Sequence, residues 1–504
     1  MKNIIKKYWA GILLGLLTLS YIAYFSYFSI LRYHTLYAHY FDLGIMNQTV
    51  YNTFMSIKSG DYSRFLELTN PHGFDQVKRM SVHNDIFLAI LAPFYFFYAG
   101  PETLLVLQSV ASAAGAVALF FIGKKIFYGM NNARLVAFFI SFAYLFYPPL
   151  QRANQFDFHA VVFATPLLLF MFYFYLVKNY WVSGLLALLA LLTKEQVGLT
   201  VGFFGIYVIV QSLRPKAKDL ELTSKKSLLN LSIFGISLLV IGIGWFVFSM
   251  IVIIPYYRQG VHFALEYFGD FGDSPAGVLA GLLRNPQLLL STIFRKDTFE
   301  YLVSTLGPVS FLSLFSPLHL LIVAPEFGIN LISKSGAMRN IYFHYTAVIT
   351  PFIFISALYG LKFLLNLSRK IKQYTWLFIS LLTVSTLYFS LTVSPLPYSK
   401  MSEIQPFISP KQERMDAYMW QRKLSDETIK VMATGSIAPL FSTRRFFYYY
   451  SARYDLADYI VLSVDEAYNS YGSANGEEVY LKITTDKRFE SIYKNGSFEV
   501  YKKL

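Results

Sequence analysis

Asp42, His83, Asp157, His159, Lys194, Glu195 and His344 are the side chains of this sequence whose types and surroundings could do chemistry. Asp42 follows the first long apolar segment, in Tyr40-Phe41-Asp42-Leu43-Gly44. A carboxylate there can cap the helix that follows it. It can equally take a proton from a hydroxyl as a general base. Asp157-Phe158-His159 admits three uses: an N-cap beside an interfacial ring, an acid–base pair, or two ligands of a divalent metal. The Asp-x-His spacing alone is a weak metal signal, and no HExxH or Cys cluster supports it. Lys194-Glu195 ends an apolar stretch too short for an ordinary span, so both charges sit below the membrane surface. A charge in the bilayer costs at least about 2.5–3.5 kcal/mol, so this pair must neutralise itself, snorkel or line a cavity. The guanidinium forks of Arg152, Arg258 and Arg339 suit a phosphate, although Arg152 serves as well for an interface anchor. No GxGxxG after a strand, P-loop, GxSxG or paired-Asp signature is found, so no nucleotide cofactor is expected.

These residues are far apart, and only a membrane topology brings them together. The chain has 504 residues, 55% hydrophobic and only 15% charged, against roughly 25% charged in soluble domains. It reads as a polytopic helical membrane protein. With no Cys, thiol catalysis, disulfides and Cys-bound zinc are excluded. The net charge of +14 would suit nucleic acid, but the clustered basic residues lie in short loops between apolar spans, where they orient the protein and meet anionic lipid. No nucleic-acid partner is expected. Lys2, Lys6 and Lys7 place the N-terminus inside, and Lys124-Lys125, Arg214 to Lys226 and Arg369 to Lys372 mark later inner loops. About eleven spans result, with the N-terminus cytoplasmic and a multi-pass location in the cell membrane.

The topology divides the chain into a transmembrane part, 1–394, and an extracytoplasmic α/β domain, 395–504. Within the first part, 32–84 is a long outside loop, 86–98 an interfacial helix and 255–298 a second long outside loop. Residues 299–315 and 317–333 read as two spans. After Asp42, the apolar spacing Leu43, Met46, Val50, Phe54, Ile57 predicts an amphipathic helix on the bilayer surface. In the last domain, Thr428–Met432 and Tyr459–Val464 read as buried strands, Met415–Leu424 as a helix and Asn495-Gly496 as a two-residue hairpin signal. All the candidate residues then face one side of the membrane.

Several of them fall in an ordered set of short motifs: Phe41-Asp42-Leu43-Gly44, His83 with its following Leu-Ala-Pro run, Tyr147-Pro148-Pro149 leading to Phe156-Asp157-Phe158-His159, Leu192-Thr193-Lys194-Glu195, Ala324-Pro325-Glu326 and His344-Tyr345. Over about residues 35–365 this set resembles the predicted membrane proteins of the domain of unknown function 2079 family. That family in turn is similar to the C-type glycosyltransferases, which include the protein mannosyltransferases and the lipid A aminoarabinose transferase. Many of those relatives carry an Asp-Glu pair early in the first outside loop, whereas Leu43 follows Asp42 here. The resemblance implies a sugar donor on a polyprenyl phosphate, an acceptor outside the cell and Asp42 as the base. Lys194, Glu195, Arg152, His83, Arg258, Arg339 and His344 would bind the lipid phosphate or the acceptor, and Asp157 and His159 would position the acceptor or hold a metal. The rival readings are a transporter or flippase of a lipid-linked or polar solute, for which no repeated halves are found, and a non-catalytic assembly factor.

Overall fold

The computed structural model describes residues 2–71, 73–213, 224–367, 373–403, 411–469 and 476–504. Among these, four helices are long and apolar enough to cross a membrane: Tyr8–His34 (within Lys2–His34), Pro101–Ile126, Lys225–Arg258 and Thr375–Val393. Ala133–Leu145 and Pro148–Gln155 form a fifth, bent by 43°. The bend follows from Pro148 and Pro149, which offer no N–H to the preceding turn and hold Tyr147 in extended backbone. Six further apolar helices have only 10–17 residues. Four or five helices of spanning length are fewer than the roughly eleven spans expected from hydropathy, and the remaining apolar helices are shorter. The largest departure lies at 299–333. In place of the first of the two expected spans, a helix at Lys296–Leu306 ends at Gly307-Pro308 and the chain continues in short turns, while the second segment holds a short apolar helix, Pro317–Ile332. Ser310 and Phe311 take left-handed φ of 54° and 55° there, which no continuous helix allows. Arg214, Lys216 and Lys218, and Arg369, Lys370 and Lys372, on which the orientation rests, lie outside the described residues.

The hairpin carrying Lys194-Glu195 has the expected form, Tyr180–Leu191 and Val197–Ser212 joined by a tight turn. Its second helix crosses Lys225–Phe248 along a glycine seam. A Cβ on Gly205 would lie 2.5 Å from the Leu239 nitrogen and 2.6 Å from the Gly235 carbonyl oxygen, and one on Gly242 would lie 2.5 Å from the Gly202 nitrogen. Backbones approach this closely only where side chains are missing. Gly205→Leu is therefore expected to force the helices apart, at a cost of about 1–3 kcal/mol, seen as a lowered melting temperature in detergent. An unchanged melting temperature would show that the crossing yields freely.

The first long loop departs from expectation in an informative way. The Ile45–Ser59 helix is not laid on a surface: its polar residues Asn47, Gln48 and Asn52 are as buried as Val50 and Phe54. Asn47 donates to the Ser442 and Thr443 hydroxyls at 2.8 and 3.0 Å, and Gln48 donates to the Arg445 carbonyl at 2.8 Å. The face that reads as solvent-facing is packed on the C-terminal domain, where buried amides find the partners they require. Residues 86–98 hold a short helix, Leu88–Leu91, continued by the tighter turn Ala92–Phe96, with Phe94, Phe96, Phe97 and Tyr98 exposed. The second long loop holds two short helices, Pro275–Arg284 and Pro286–Ile293, with Leu279, Leu283 and Leu290 exposed.

A small antiparallel pair, β1 (Glu67–Thr69) and β2 (Gln76–Lys78), lies in the first loop. The C-terminal domain holds a five-stranded sheet of β3 (Val431–Ala433), β4 (Phe447–Tyr449), β5 (Tyr459–Ser463), β6 (Phe489–Asn495) and β7 (Phe498–Lys503), in the order β4-β3-β5-β7-β6. β3 pairs parallel with β4 and β5, and β7 pairs antiparallel with β5 and β6. The first of these strands starts later than Thr428, because the Asp426 carboxylate takes the Thr428 N–H and hydroxyl at 2.9 and 2.7 Å and turns the chain. The β6–β7 loop is Gly496-Ser497, with Gly496 at φ 57° in the first central position, as a II′-like turn requires. Side-chain alternation splits the sheet's burial. Val431, Ala433, Phe447, Val461, Phe498 and Val500 join one core with Tyr40, Leu43 and Leu88 of the membrane part. Met432, Tyr448, Ile460 and Leu462 face the Gly476–Thr485 helix.

Candidate functional site

Asp42 lies in a single wide turn, Tyr40–Gly44, just ahead of the Ile45–Ser59 helix. It is not the cap. His39 holds that position and accepts the Phe41 N–H through its ring, so the Asp42 side chain is free for other work. Its Oδ1 accepts from His159 Nε2 at 2.9 Å, with the Asp42 side chain 26% exposed and His159 only 6%. The carboxylate is thus the open end of the pair. Burial acts to raise the Asp42 pKa, but the His159 hydrogen bond and the charges of His159, His39 and Arg32 outweigh it and hold the carboxyl below its ordinary value.

His159 is placed by the loop that precedes Ala160–Phe163. Its N–H donates to Gln108 Oε1 at 2.8 Å, while Gln108 Nε2 donates to the Asp157 carbonyl at 2.7 Å. One amide from the Pro101–Ile126 helix thereby pins both residues, with Asp157 at a left-handed φ of 43° that Asp tolerates better than most. The His159 ring stacks on His344, centroids 3.7 Å apart, and neither Nδ1 has a hydrogen-bond partner among the described residues. Burial, with His159, Lys194 and His83 adding to it, keeps His344 well below the usual histidine range and therefore neutral.

Asp157 does not share a ligand point with His159. Its Oδ2 accepts the His39 N–H at 2.8 Å and its Oδ1 lies 3.1 Å from Arg32 Nε. Burial, with the Asp42 charge adding, pushes the Asp157 carboxyl up despite Arg32. The two carboxyls are thus pushed apart in acidity, Asp42 toward the ionised form. A metal held by Asp157 and His159 does not fit this arrangement, because each side chain is engaged in a different direction.

Lys194, half-buried in the hairpin turn, has no carboxylate within ion-pair distance among the described residues. Its ammonium lies 5.9 Å from the centre of the Tyr345 ring, and the Tyr345 hydroxyl in turn feels the Asp42 charge. Tyr345 also lies against His344, ring centroids 4.4 Å apart, so a row of rings runs from Lys194 through Tyr345 and His344 to His159 and Asp42. Lys194 also acts on His83, Asp85 and His344. Arg258 stands near the first loop, donating to the Ser81 carbonyl at 3.3 Å and lying over Phe263.

Glu195 points away from Lys194 into a second cluster. Its Oε1 lies 2.9 Å from His83 Nδ1 and 3.2 Å from His262 Nε2, and its Oε2 accepts the Asn84 N–H at 3.0 Å. His83, Glu195 and His262 offer ligand atoms all within 4.8 Å of one another. His262 Nδ1 accepts the Ala264 N–H at 2.9 Å, so as it stands Nε2 carries the hydrogen. Releasing that one bond costs about 0.5–1.5 kcal/mol, small beside the roughly 10–16 kcal/mol of a structural zinc site.

The other expected phosphate ligands have protein partners. Arg152 donates to the carbonyls of Val393, Ser394 and Met401 and to Glu403, which ties it to the segment after Thr375–Val393. Arg339 pairs with Asp297 at 2.7 Å and donates to the Ser333 carbonyl. The structure therefore gathers Asp42, His159, His344, Lys194, His83 and Glu195, and engages Arg152 and Arg339 elsewhere. Sequence reasoning does not find Arg32, His39, Gln108 or His262. His262 stands as a single ring within the second long loop, with no spacing signal to mark it.

A family model described as predicted membrane protein, DUF2079, matches residues 32–500. No curated protein matches the sequence. Among solved structures, ArnT from Cupriavidus metallidurans in the apo state is 13% identical, with 92% of this chain and 93% of ArnT covered at a TM-score of 0.52. The apo oligosaccharyltransferase of Archaeoglobus fulgidus is 12% identical, with 92% and 70% covered at a TM-score of 0.44. What the chain shares with ArnT is the fold.

Proposed function

The chain belongs to the DUF2079 family of predicted membrane proteins, and from that premise we propose that it is a membrane-embedded glycosyltransferase. In this reading it moves a sugar from a polyprenyl-phosphate donor to a hydroxyl acceptor on the extracytoplasmic side. The observation that carries the reading is the Asp42 carboxylate, oriented by His159 and open on its other side, linked through the His159, His344 and Tyr345 rings to a Lys194 ammonium that has no carboxylate partner among the described residues. A lipid-phosphate donor keeps its tail in the bilayer and brings its phosphosugar to such a site. Asp42 takes the acceptor's hydroxyl proton as the new bond to the anomeric carbon forms. The bond from that carbon to the phosphate oxygen breaks, its electron pair leaves with the phosphate, and Lys194 stabilises the growing charge. Attack opposite the phosphate inverts the anomeric centre.

The test is incubation of the purified chain in nanodiscs with radiolabelled polyprenyl-phosphate sugars and a membrane extract as acceptor source. Transfer of label is expected, and Lys194→Gln should reduce it by about 10²- to 10³-fold, as removal of a donor to a developing oxyanion does. A chain that neither transfers label nor binds any such donor saturably would overturn the reading.

A further inference from the structure

The geometry points to a divalent-metal site of the zinc class, formed by His83, Glu195 and His262. It is distinct from Asp42–His159 and from the Asp157–His159 pair that the sequence suggests. The three ligand atoms come from three separate stretches: the first long loop, the turn of the 180–212 hairpin and the second long loop. They nevertheless converge within 4.8 Å. The measured separations, 2.9 Å from His83 Nδ1 to Glu195 Oε1 and 3.2 Å from His262 Nε2 to the same oxygen, approach the edge of a tetrahedron with bonds of about 2.0–2.1 Å. Glu195 and His262 side chains are 5% and 3% exposed and His83 is 19% exposed, so two ligands are set in protein and the third opens the site to one side. The carboxylate is also aimed. Asn84 donates its backbone N–H to Oε2, and its side-chain amide is itself anchored on the Ser249 hydroxyl at 2.7 Å. Such an outer layer is what orients metal ligands.

Two imidazoles and one carboxylate favour zinc over magnesium or calcium, which prefer oxygen. Three protein ligands leave a fourth position for water or an anion. Two features of the surroundings act on the site. Lys194 lies close enough for its charge to oppose a cation. His262 must exchange the Ala264 N–H at Nδ1 for a proton there before Nε2 can ligate. Metal binding would therefore reset the start of the Phe263–Phe268 turn. It would also clip together three stretches that otherwise meet through hydrogen bonds and ring contacts. None of this depends on the transferase reading.

The test uses the full chain in detergent, stripped with chelator and then titrated with zinc against a fluorescent zinc indicator, with metal content read by mass spectrometry after dialysis. One zinc per chain is expected. His262→Ala and His83→Ala should each weaken binding by at least tenfold, and His159→Gln should leave it unchanged. Cobalt in place of zinc should give the intense visible bands of a four-coordinate site, lost in His262→Ala. Gel filtration and melting temperature in zinc-free buffer show whether each variant is folded. His262→Gln, which fills the same space, stands in for any variant that is not. Less than a tenth of an equivalent in the wild-type chain, or zinc retained by both folded histidine variants, would overturn the site. Loss of zinc in His159→Gln but not in His262→Ala would overturn it in favour of the Asp157–His159 pair.

Discussion

Asp42→Asn is expected to lose sugar transfer by about 10²- to 10⁴-fold, the usual contribution of a general base, with its melting temperature nearly unchanged. The amide keeps the size of the carboxylate and can still accept from His159 Nε2 through its oxygen, so the 2.9 Å contact survives. What it loses is the ability to take a proton. The pH profile sharpens the expectation. A base acts ionised, and the Asp42 pKa lies below its ordinary value, near 3.9 for a free Asp. Transfer by the wild-type chain should therefore hold down to about pH 4 before Asp42 protonation slows it. Asp42→Asn should be slow throughout, with no acid limb of its own. Equal transfer by the variant and the wild type in isolated membranes would remove Asp42 from the chemistry.

Arg79→Met should have the largest effect on stability. Arg79 and Asp85 form a two-pronged pair, both contacts 2.8 Å, with side chains 1% and 4% exposed. Removing one member of a buried pair costs about 3–5 kcal/mol, because the other is left charged in a poor solvent. Here Asp85 has an escape, since burial already pushes its carboxyl above the ordinary value despite Arg79. In the variant it should fold protonated. A carboxyl whose folded pKa is raised binds a proton that the unfolded chain gives up, so stability falls as pH rises above about 4, the unfolded value, and levels off only past the raised folded one. Melting curves of Arg79→Met at pH 5 and pH 8 should therefore differ, with the lower temperature at pH 8. Curves that match the wild type at both would show that the pair contributes nothing net. The next residue back from Asp85 holds Glu195, so the same variant should also loosen the His83–Glu195–His262 cluster.

Much of this was legible in the residues. Thr193-Lys194-Glu195 interrupts an apolar stretch so abruptly that only a tight hairpin can hold it, and the hairpin is there. Family and fold were legible in the ordered motifs, and the family model's match over 32–500 and the fold shared with ArnT agree with them. The convergence of Asp42 with His159 could be read only as a shared side of the membrane. The contact depends on Gln108, a lone polar residue in an apolar helix that gives no hint of its partner. Arg32 looks like an ordinary charge at the end of a span, and only the fold turns it on Asp157. The Ile45–Ser59 helix misleads for a physical reason. Periodicity separates its polar and apolar faces, but it cannot say whether the polar face meets water or another domain's hydroxyls and carbonyls. Likewise, counting apolar residues reads spans at 299–315 and 317–333 but cannot see the left-handed turn at Ser310 and Phe311 that breaks the first.

The contact between that helix and the C-terminal domain bears on the order in which the protein matures. Asn47 binds Ser442 across 395 residues of chain, and the Tyr40 N–H, two residues before Asp42, donates to the Gly435 carbonyl at 3.1 Å. The approach is close, since a Cβ on Gly435 would lie 2.2 Å from His39 Nε2 and would force that ring to move. A ribosome finishes such a chain from the front, and domains generally fold as they emerge. The segment bearing Asp42 leaves early, yet its polar neighbours go unanswered until Gly435, Ser442 and Thr443 are made. Contacts so distant in sequence form late. A chain caught before residues 435–443 are made would hold Asp42 without its final setting.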